Sequence, residues 1–233
     1  MTKAGHKEII EFFGMPGAGK TTVSLQLQEL LVGARSNCVH NHQLDGSHLP
    51  AAPRNTKRAL LILREFPWTL KDAPLLVSVW NVQQRSIQHK AKALFNIWTV
   101  LSVLSRARRR GACLVLDQGP LQAVWSLLLA SKNNDIDRWI KALSPDPSIA
   151  WHVVVVNADL EQIHERLETR EEKHSRLQGS DELWGRAEEL TEKIADRLGQ
   201  LNRQTPLVVT EIDTVSNAPE DLAKMLFSHA HPT

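Results

Sequence analysis

GMPGAGKTT, residues 14–22, decides the fold, because it fits the pattern GxxxxGK followed by Ser or Thr at every fixed position. Glycines in this pattern let successive backbone N–H groups turn inward around phosphates, and the N-terminus of the following helix adds partial positive charge. The flanking sequence supplies that context. EIIEFF, residues 8–13, predicts a buried strand, and TTVSLQLQELLVG, residues 21–33, predicts an amphipathic helix closed by Gly33.

The side chains of this loop predict a site for a nucleoside triphosphate and a divalent ion. We expect Lys20 to reach the β- and γ-phosphates, Thr21 to offer its hydroxyl to the metal and Thr22 to contact the α-phosphate. The predicted cofactors are ATP and Mg²⁺. The other residues expected to line the nucleotide are Gly14, Pro16, Gly17, Ala18 and Gly19.

Apolar runs rich in β-branched residues predict further strands of a parallel sheet at 112–116, 151–156 and 206–212, with a weaker one at 37–43. We expect a loop at 44–53 and two or three helices from 54 to 110, with breaks near Pro67 and Pro74. Later helical patterns lie at 121–130, 136–143, 159–172, 181–201 and 219–227. This alternation predicts a doubly wound α/β domain.

Asp117 ends the predicted strand at 112–116, in the sequence LVLDQGP. Ligands of open α/β sheets bind outside the carboxyl ends of the strands, so an acid at this position faces the phosphate-binding loop. We expect Asp117 to hold magnesium together with Thr21. The alternative is that Asp117 caps the N-terminus of the next helix.

Two arginines follow the strand at 151–156. Arg166 and Arg170 are four residues apart and share one face of a continuous helix with Lys173. This basic face predicts a lid, residues 166–182, that clamps the triphosphate. The alternative is pairing on the helix surface with the interleaved glutamates.

Composition is that of an ordinary globular protein, with 42% hydrophobic and 23% charged residues, and we expect residues 1–233 to form one domain. A net charge of +2 does not indicate a general nucleic-acid binder. No run approaches the roughly 18 apolar residues needed to span a bilayer, and the N-terminus lacks a signal-peptide core. We therefore expect a cytoplasmic protein that does not bind membranes.

The loop, the Asp after a later strand, DLEQIHERLETREEKHSR and a final strand followed by IDT together resemble the nucleoside and nucleotide monophosphate kinases, with thymidylate kinase the nearest subgroup. The resemblance implies a three-layer P-loop NTPase fold with helices on both faces of a five-stranded parallel sheet in the order 2-3-1-4-5. It implies that Arg166, Arg170 and Arg176 are lid arginines. It also implies that the segment Asp213 to Val215 borders the adenine.

The same resemblance places the acceptor between the segment after the second strand and the helices of residues 54–110. Gln118 stands where such kinases usually carry an arginine that grips an acceptor phosphate, which does not favour thymidylate. Asp45 or a histidine is a candidate general base for a hydroxyl acceptor. The candidate acceptor-binding residues are His40, His42, Asp45, Arg54, Arg58, Arg85 and Gln118.

Three functions remain open at this point. The favoured one is ATP-dependent phosphoryl transfer to a small-molecule acceptor: a nucleoside monophosphate, a nucleoside or a related metabolite. The second is a nucleotide-binding switch or accessory ATPase acting on a protein partner. The third is a polynucleotide end kinase that uses the basic run from Arg106 to Arg110. The apolar helices between 75 and 105 are a candidate homodimer face.

Overall fold

The computed structural model describes residues 8–34, 37–84, 86–131, 135–143, 149–169, 181–202 and 207–230. The five strands all run parallel, in the order β2-β3-β1-β4-β5. They are β1 Glu8–Phe13, β2 Cys38–His40, β3 Cys113–Leu116, β4 Ala150–Asn157 and β5 Val208–Asp213. The predicted strand order and three-layer fold, with helices on both faces, are confirmed.

The helices that surround this sheet follow the predicted alternation closely. They are α1 Lys20–Ala34, α2 Asn41–Asp45, α3 Ala51–Thr69, α4 Ala73–Asn81, α5 Ile87–Arg110, α6 Pro120–Leu129, α7 Ile136–Leu143, α8 Leu160–Glu168, α9 Asp181–Asn202 and α10 Pro219–Ala230, with a 3-10 turn at Leu70–Asp72. Within the described ranges, no helix is both long enough and apolar enough to cross a membrane.

The central strands are buried on both sides, as their β-branched and aromatic composition predicts. Ile9, Phe12 and Phe13 of β1 are at most 3% exposed, and Val153 to Val156 of β4 are equally enclosed. Glu11 is the one acidic residue among these buried apolar side chains, and it has no exposed surface although it lies in the middle of β1. The core therefore fixes the strand ends from which the loops of the site leave.

The prediction of a strand across 37–43 is wrong in its second half. β2 ends at His40, and residues 41–45 form α2. The ring of His40 accepts a hydrogen bond from the backbone N–H of His42, which caps the new helix, and Gly46 closes it in the left-handed conformation with φ 71°. A polar segment that alternates like a strand is thus turned into a helix by its own side-chain cap.

The predicted loop at 44–53 is also shorter than expected, because α2 extends to Asp45 and α3 begins at Ala51. Pro53 lies in the first turn of α3, where a missing N–H costs nothing. The sequence predicts two or three helices from 54 to 110, and the helical residues described there belong to α3, α4 and α5 with the 3-10 turn, while Pro67 lies inside the last turns of α3. The helix expected from 159 to 172 ends at Glu168 in the described part of the chain.

Candidate nucleotide and metal site

The phosphate-binding loop connects β1 to α1 and is pressed against its neighbours. Gly14 has φ 155°, and a Cβ atom there would lie 2.4 Å from the carbonyl oxygen of Val156 in β4. Gly17 has φ 92°, and a Cβ atom there would lie 3.2 Å from the Ile163 side chain of α8. Both positions therefore require glycine, since other residues rarely adopt these angles and have no room for a side chain.

Lys20, the first residue of α1, turns its side chain back into this loop. Its Nζ donates hydrogen bonds to the carbonyl oxygens of Gly14 at 2.7 Å and Met15 at 2.8 Å, and the residue is 8% exposed. A largely buried ammonium group is thus fixed at the N-terminus of a helix, where positive charge and backbone N–H groups converge. This arrangement is suited to binding phosphate.

Asp117 follows β3 directly and meets the loop, as the sequence predicts. Its Oδ2 accepts a hydrogen bond from Thr21 Oγ1 at 2.7 Å. The N-cap of α6 is Gly119, so the alternative role of Asp117 as a helix cap is wrong. Asp117 is 1% exposed, and its Oδ1 is buried with no hydrogen-bond partner among the described residues.

The residues that follow β2 complete this corner of the site. His42 Nε2 lies 2.8 Å from Asp117 Oδ2, and Asn41 accepts a hydrogen bond from the backbone N–H of Asp117 at 3.1 Å. The sequence suggested His42 only as an acceptor-binding candidate and did not identify Asn41. The contact of His42 and Asn41 with Asp117 could have been predicted from the implied strand order, because β2 and β3 are adjacent and the residues after both strands meet at the carboxyl end of the sheet.

The His42 and Asp117 side chains are hydrogen-bonded to each other, and each shifts the pKa of the other. Burial lowers the pKa of His42, but the hydrogen bond and charge of Asp117 outweigh burial and raise this pKa above its usual value. Burial also raises the pKa of Asp117, but the hydrogen bonds from His42 and Thr21 and the charge of His42 hold it well below its usual range. Asp117 is therefore a fully ionised carboxylate in a nearly dry site.

His40 plays a different part from His42, although it lies close by. Its Nδ1 accepts from the His42 N–H at 3.2 Å, so its Nε2 carries the proton and donates to Ser24 Oγ at 3.0 Å. Burial lowers the pKa of His40 to about 4, which keeps the ring neutral. His40 is thus a structural link between β2, α1 and α2.

The donor set at this corner fits a divalent cation. Thr21 supplies a hydroxyl and Asp117 supplies an ionised carboxylate with one oxygen, Oδ1, that no described protein group bonds. Donor atoms of His40, His42 and Asp117 also lie within 4.8 Å of one another. Hard cations such as Mg²⁺ take carboxylate and hydroxyl oxygens, so the two predicted metal ligands are suitably placed.

The segment that follows β5 contacts the phosphate-binding loop, and its expected position beside the adenine stays a prediction. Thr214 Oγ1 donates to the carbonyl oxygen of Ala18 at 2.9 Å, and its backbone N–H donates to Asn157 at 3.1 Å. The Asp213 carboxylate makes no described contact with the phosphate-binding loop. It accepts hydrogen bonds from the Val215 N–H at 2.8 Å and from the Ser216 hydroxyl. These bonds lower the pKa of Asp213 and shape a turn that leaves Val215 43% exposed.

Arg166 of α8 reaches the phosphate-binding loop. Its Nη1 donates to the carbonyl oxygen of Gly17 at 3.3 Å and its Nη2 to Gln162 at 3.0 Å. One predicted lid arginine therefore lies beside the nucleotide site. Arg170, Arg176 and the predicted lid beyond Thr169 up to residue 180 lie outside the described residues.

A small pocket begins at Gln118, the residue after Asp117. Asp45 and Arg58 line it as an ion pair, with Arg58 Nη2 2.9 Å from Asp45 Oδ2, and Asp45 Oδ1 accepts from Ser47. Its other lining residues, which the sequence did not single out, are Asn96, Thr99, Val100, Gly119, Gln122, Ala123 and Ser126. The described wall does not include Arg54, and Arg85 lies outside the described residues.

The chain is similar in structure to solved proteins, but its sequence matches no family model and no curated protein. Thymidylate kinase from Ehrlichia chaffeensis superposes with a TM-score of 0.53 at 11% identity, covering 97% of this chain and 100% of that one. This similarity shows that the chain shares the fold of a P-loop kinase.

Two further solved structures are similar at a lower level. Shikimate kinase from Acinetobacter baumannii, in complex with shikimate, gives a TM-score of 0.47 at 17% identity, with 97% and 94% of the two chains covered. Deoxyadenosine kinase from M. mycoides, with bound dCTP, gives 0.49 at 14% identity, with 95% and 98% covered.

Proposed function

We propose that this chain, which has the P-loop kinase fold, transfers the γ-phosphoryl group of ATP to a hydroxyl group of a small-molecule acceptor. The observation that carries the proposal is the 2.7 Å hydrogen bond between Thr21 of the phosphate-binding loop and Asp117 after β3. This hydrogen bond brings together the Thr21 hydroxyl and the Asp117 carboxylate, which are the oxygen ligands proposed for magnesium, beside the phosphate-binding loop.

The triphosphate would be held by the backbone N–H groups of the loop and by two cations. Lys20 is already fixed inside the loop by two carbonyl oxygens, and Arg166 lies against Gly17. We propose that both turn to the β- and γ-phosphates when ATP binds, with Thr22 and the remaining loop residues on the α-phosphate. Positive charge held near the γ-phosphoryl group stabilises the charge that spreads over its oxygens during transfer.

The metal ion would be held by Thr21 and Asp117. When bound there, Mg²⁺ would neutralise charge on the transferring phosphoryl group. The orphaned Oδ1 of Asp117 supports this assignment, because a buried carboxylate oxygen without a partner is costly unless a cation completes it. In the transfer itself, the acceptor oxygen bonds to the γ-phosphorus, the bond from phosphorus to the bridging oxygen breaks, ADP leaves, and the hydroxyl proton passes to the Asp45 carboxylate.

The acceptor would occupy the pocket that starts at Gln118, with Arg58 from α3 and Thr99 from α5. Arg58 is the one cation in the described wall, and Asp45 neutralises it. An acceptor phosphate is bound by cations in excess, whereas amide, hydroxyl and carboxylate groups suit the hydroxyls of a neutral molecule. We therefore favour a nucleoside or a polyhydroxyl metabolite, with Asp45 accepting a hydrogen bond from the reacting hydroxyl.

The end-kinase alternative gains no support from the position of the basic run. Arg108 to Arg110 form the last turn of α5, before β3 begins, whereas Asp117 and the phosphate-binding loop follow the carboxyl ends of their strands. The basic run thus lies at the amino ends of the strands, at the opposite end of the sheet from the phosphate-binding loop. The switch alternative shares the nucleotide site, so only the requirement for an acceptor separates it from a kinase.

An acceptor screen tests the proposal. Purified protein with ATP and magnesium is offered nucleosides, nucleoside monophosphates and polyhydroxyl metabolites, and ADP release is measured. We expect release that depends on a hydroxyl acceptor and that disappears in Lys20→Ala, whose circular dichroism should be unchanged. Release stimulated by no acceptor, with ATP still bound in calorimetry, would instead indicate the switch or accessory ATPase.

A further inference from the structure

We propose that His42 is a third protein ligand of the metal ion held by Thr21 and Asp117, so that this chain selects Mn²⁺ or a similar first-row transition ion over Mg²⁺. The inference rests on the proposed nucleotide site and deepens it, because it concerns which ion accompanies the nucleotide. It comes from the contacts of Asn41 and His42 in the first turn of α2, to which the proposed transfer reaction assigns no role.

Two hydrogen bonds at this corner have lengths close to the spacing of neighbouring ligands on one ion. Thr21 Oγ1 lies 2.7 Å and His42 Nε2 lies 2.8 Å from the same oxygen, Oδ2 of Asp117. Neighbouring ligands on an octahedral ion with bonds of about 2.1 Å are roughly 3 Å apart. An ion that replaces the two hydrogen-bonded protons, with the His42 ring in its neutral form, therefore needs only small shifts of side chains that are already in contact.

The imidazole of His42 is aimed at this position by the backbone of α2. The His42 N–H donates to the ring of His40, and Asn41 binds the backbone N–H of Asp117. The first bond holds the first turn of α2 against the end of β2, and the second holds it against the end of β3. His40 itself is occupied on both ring nitrogens, by His42 and by Ser24. His40 is therefore a positioning residue, and His42 is the nitrogen ligand.

A nitrogen ligand changes the preference of the site. Mg²⁺ favours oxygen donors and keeps its waters, whereas first-row transition ions bind nitrogen ligands more strongly, Mn²⁺ the least strongly of that series. Oxygen ligands from Thr21, Asp117 and the phosphates remain, so an octahedral ion that tolerates both donor types fits best. Of the probes available, Mn²⁺ meets this requirement and is also paramagnetic.

Electron spin-echo spectroscopy of bound Mn²⁺ tests the assignment directly. The protein is loaded with Mn²⁺ and the β,γ-methylene analogue of ATP, and the histidines are labelled with ¹⁵N in a parallel sample. We expect nitrogen modulation that changes with the label, and its loss in His42→Gln. The control is His48→Gln, whose ring lies near α2 and bonds the His42 carbonyl at 3.1 Å, and which should keep the modulation.

Calorimetry with the same nucleotide analogue supplies a second measurement. His42→Gln should lower the affinity for Mn²⁺ about tenfold and leave the affinity for Mg²⁺ within about twofold, a loss typical of removing one metal-supporting group. Bound Mn²⁺ without histidine modulation in the wild-type protein overturns the inference and leaves the proposed kinase activity standing. A failure of both ions to bind with nucleotide overturns the inference and the proposed function together.

Discussion

Thr214 joins the last strand of the sheet to the phosphate-binding loop, because its hydroxyl donates to the carbonyl oxygen of Ala18 at 2.9 Å across a sequence separation of 196 residues. The Thr214 methyl group packs beside Gly19. A Cβ atom added at Gly19 would lie 3.6 Å from this methyl group. The shape of the loop therefore depends on a residue far from the motif that defines it.

Replacing Thr214 with valine should weaken nucleotide binding. Valine keeps the shape of threonine but leaves the Ala18 carbonyl without its partner, and one lost hydrogen bond costs about 1 kcal/mol, or about fivefold in affinity. Calorimetry with the methylene analogue of ATP measures the effect. Thr56→Val is the control, because the Thr56 hydroxyl bonds only within α3 in the described contacts. Equal affinities in the two variants would contradict a role for Thr214 in shaping the loop.

The glycine at the start of the loop should tolerate no side chain. In Gly14→Ala the new methyl group would meet the Val156 carbonyl oxygen at 2.4 Å with φ at 155°, so we expect a loss of about 2 kcal/mol or more in the free energy of unfolding. Gly199→Ala in α9 is the matched control, since its methyl group would enter open space and should add about 1 kcal/mol. Urea unfolding measures both changes, which should have opposite signs.

The sequence predicts most of the fold because the relevant signals are local. EIIEFF and the glycine pattern specify β1 and the loop without reference to the rest of the chain, and apolar β-branched runs mark β3 and β4. α2 was missed because its polar residues alternate like those of a strand. The His40 cap and the bond from Asn41 to Asp117 decide its conformation, and the second of these is a tertiary contact.

The candidate site divides in the same way. Thr21 and Asp117 are predictable, because each sits at a motif or a strand end with a known chemical role. The contact of Thr214 with the loop is not, since no pattern in the sequence connects the two segments, and the contact of His42 with Asp117 can be inferred only from the adjacency of β2 and β3. The pocket proposed for the acceptor draws Arg58 from α3 and Thr99 from α5, so its composition depends on how these helices pack.

An ion pair joins Glu65 of α3 to Arg109 of α5, and removing only the arginine should lower the free energy of unfolding. Glu65 has no exposed surface, and its carboxylate accepts from Arg109 Nη2 at 2.5 Å, while Arg109 is 39% exposed. Arg109→Met leaves a buried charge unpaired and should lower the free energy of unfolding by about 3 kcal/mol. The double variant with Glu65→Gln should recover at least half of this loss, because it removes the charge.

Urea unfolding of wild type, both single variants and the double variant gives the coupling free energy between the two residues. Nucleotide affinity should be unchanged in all folded variants, since Arg109 precedes β3 at the edge of the sheet away from the loop. Additive effects of the two substitutions would contradict the description of Glu65 as a paired, buried carboxylate.

Glu11 should make the stability of the protein depend on pH. The residue is fully enclosed in β1, its Oε1 accepts from the Leu121 N–H at 2.6 Å, and its carboxyl lies against Gly119, where a Cβ atom would come within 2.6 Å. Burial raises its pKa to about 8 from a usual value of 4.5, although the hydrogen bonds from the α6 backbone oppose this shift. The folded protein therefore carries a neutral acid at pH 7, and unfolding ionises it.

The sign of the effect follows from this proton balance. Because the folded pKa of Glu11 lies above the unfolded one, its contribution to stability is complete below about pH 4.5 and is lost as the pH rises through about 8. Between these limits the slope approaches, at most, about 1.4 kcal/mol per pH unit. Glu11→Gln keeps the oxygen that accepts from Leu121 and cannot ionise. We therefore expect urea unfolding at pH 5, 6.5 and 8 to show wild type losing stability relative to Glu11→Gln at each step, whereas parallel profiles would mean that Glu11 is ionised in the core.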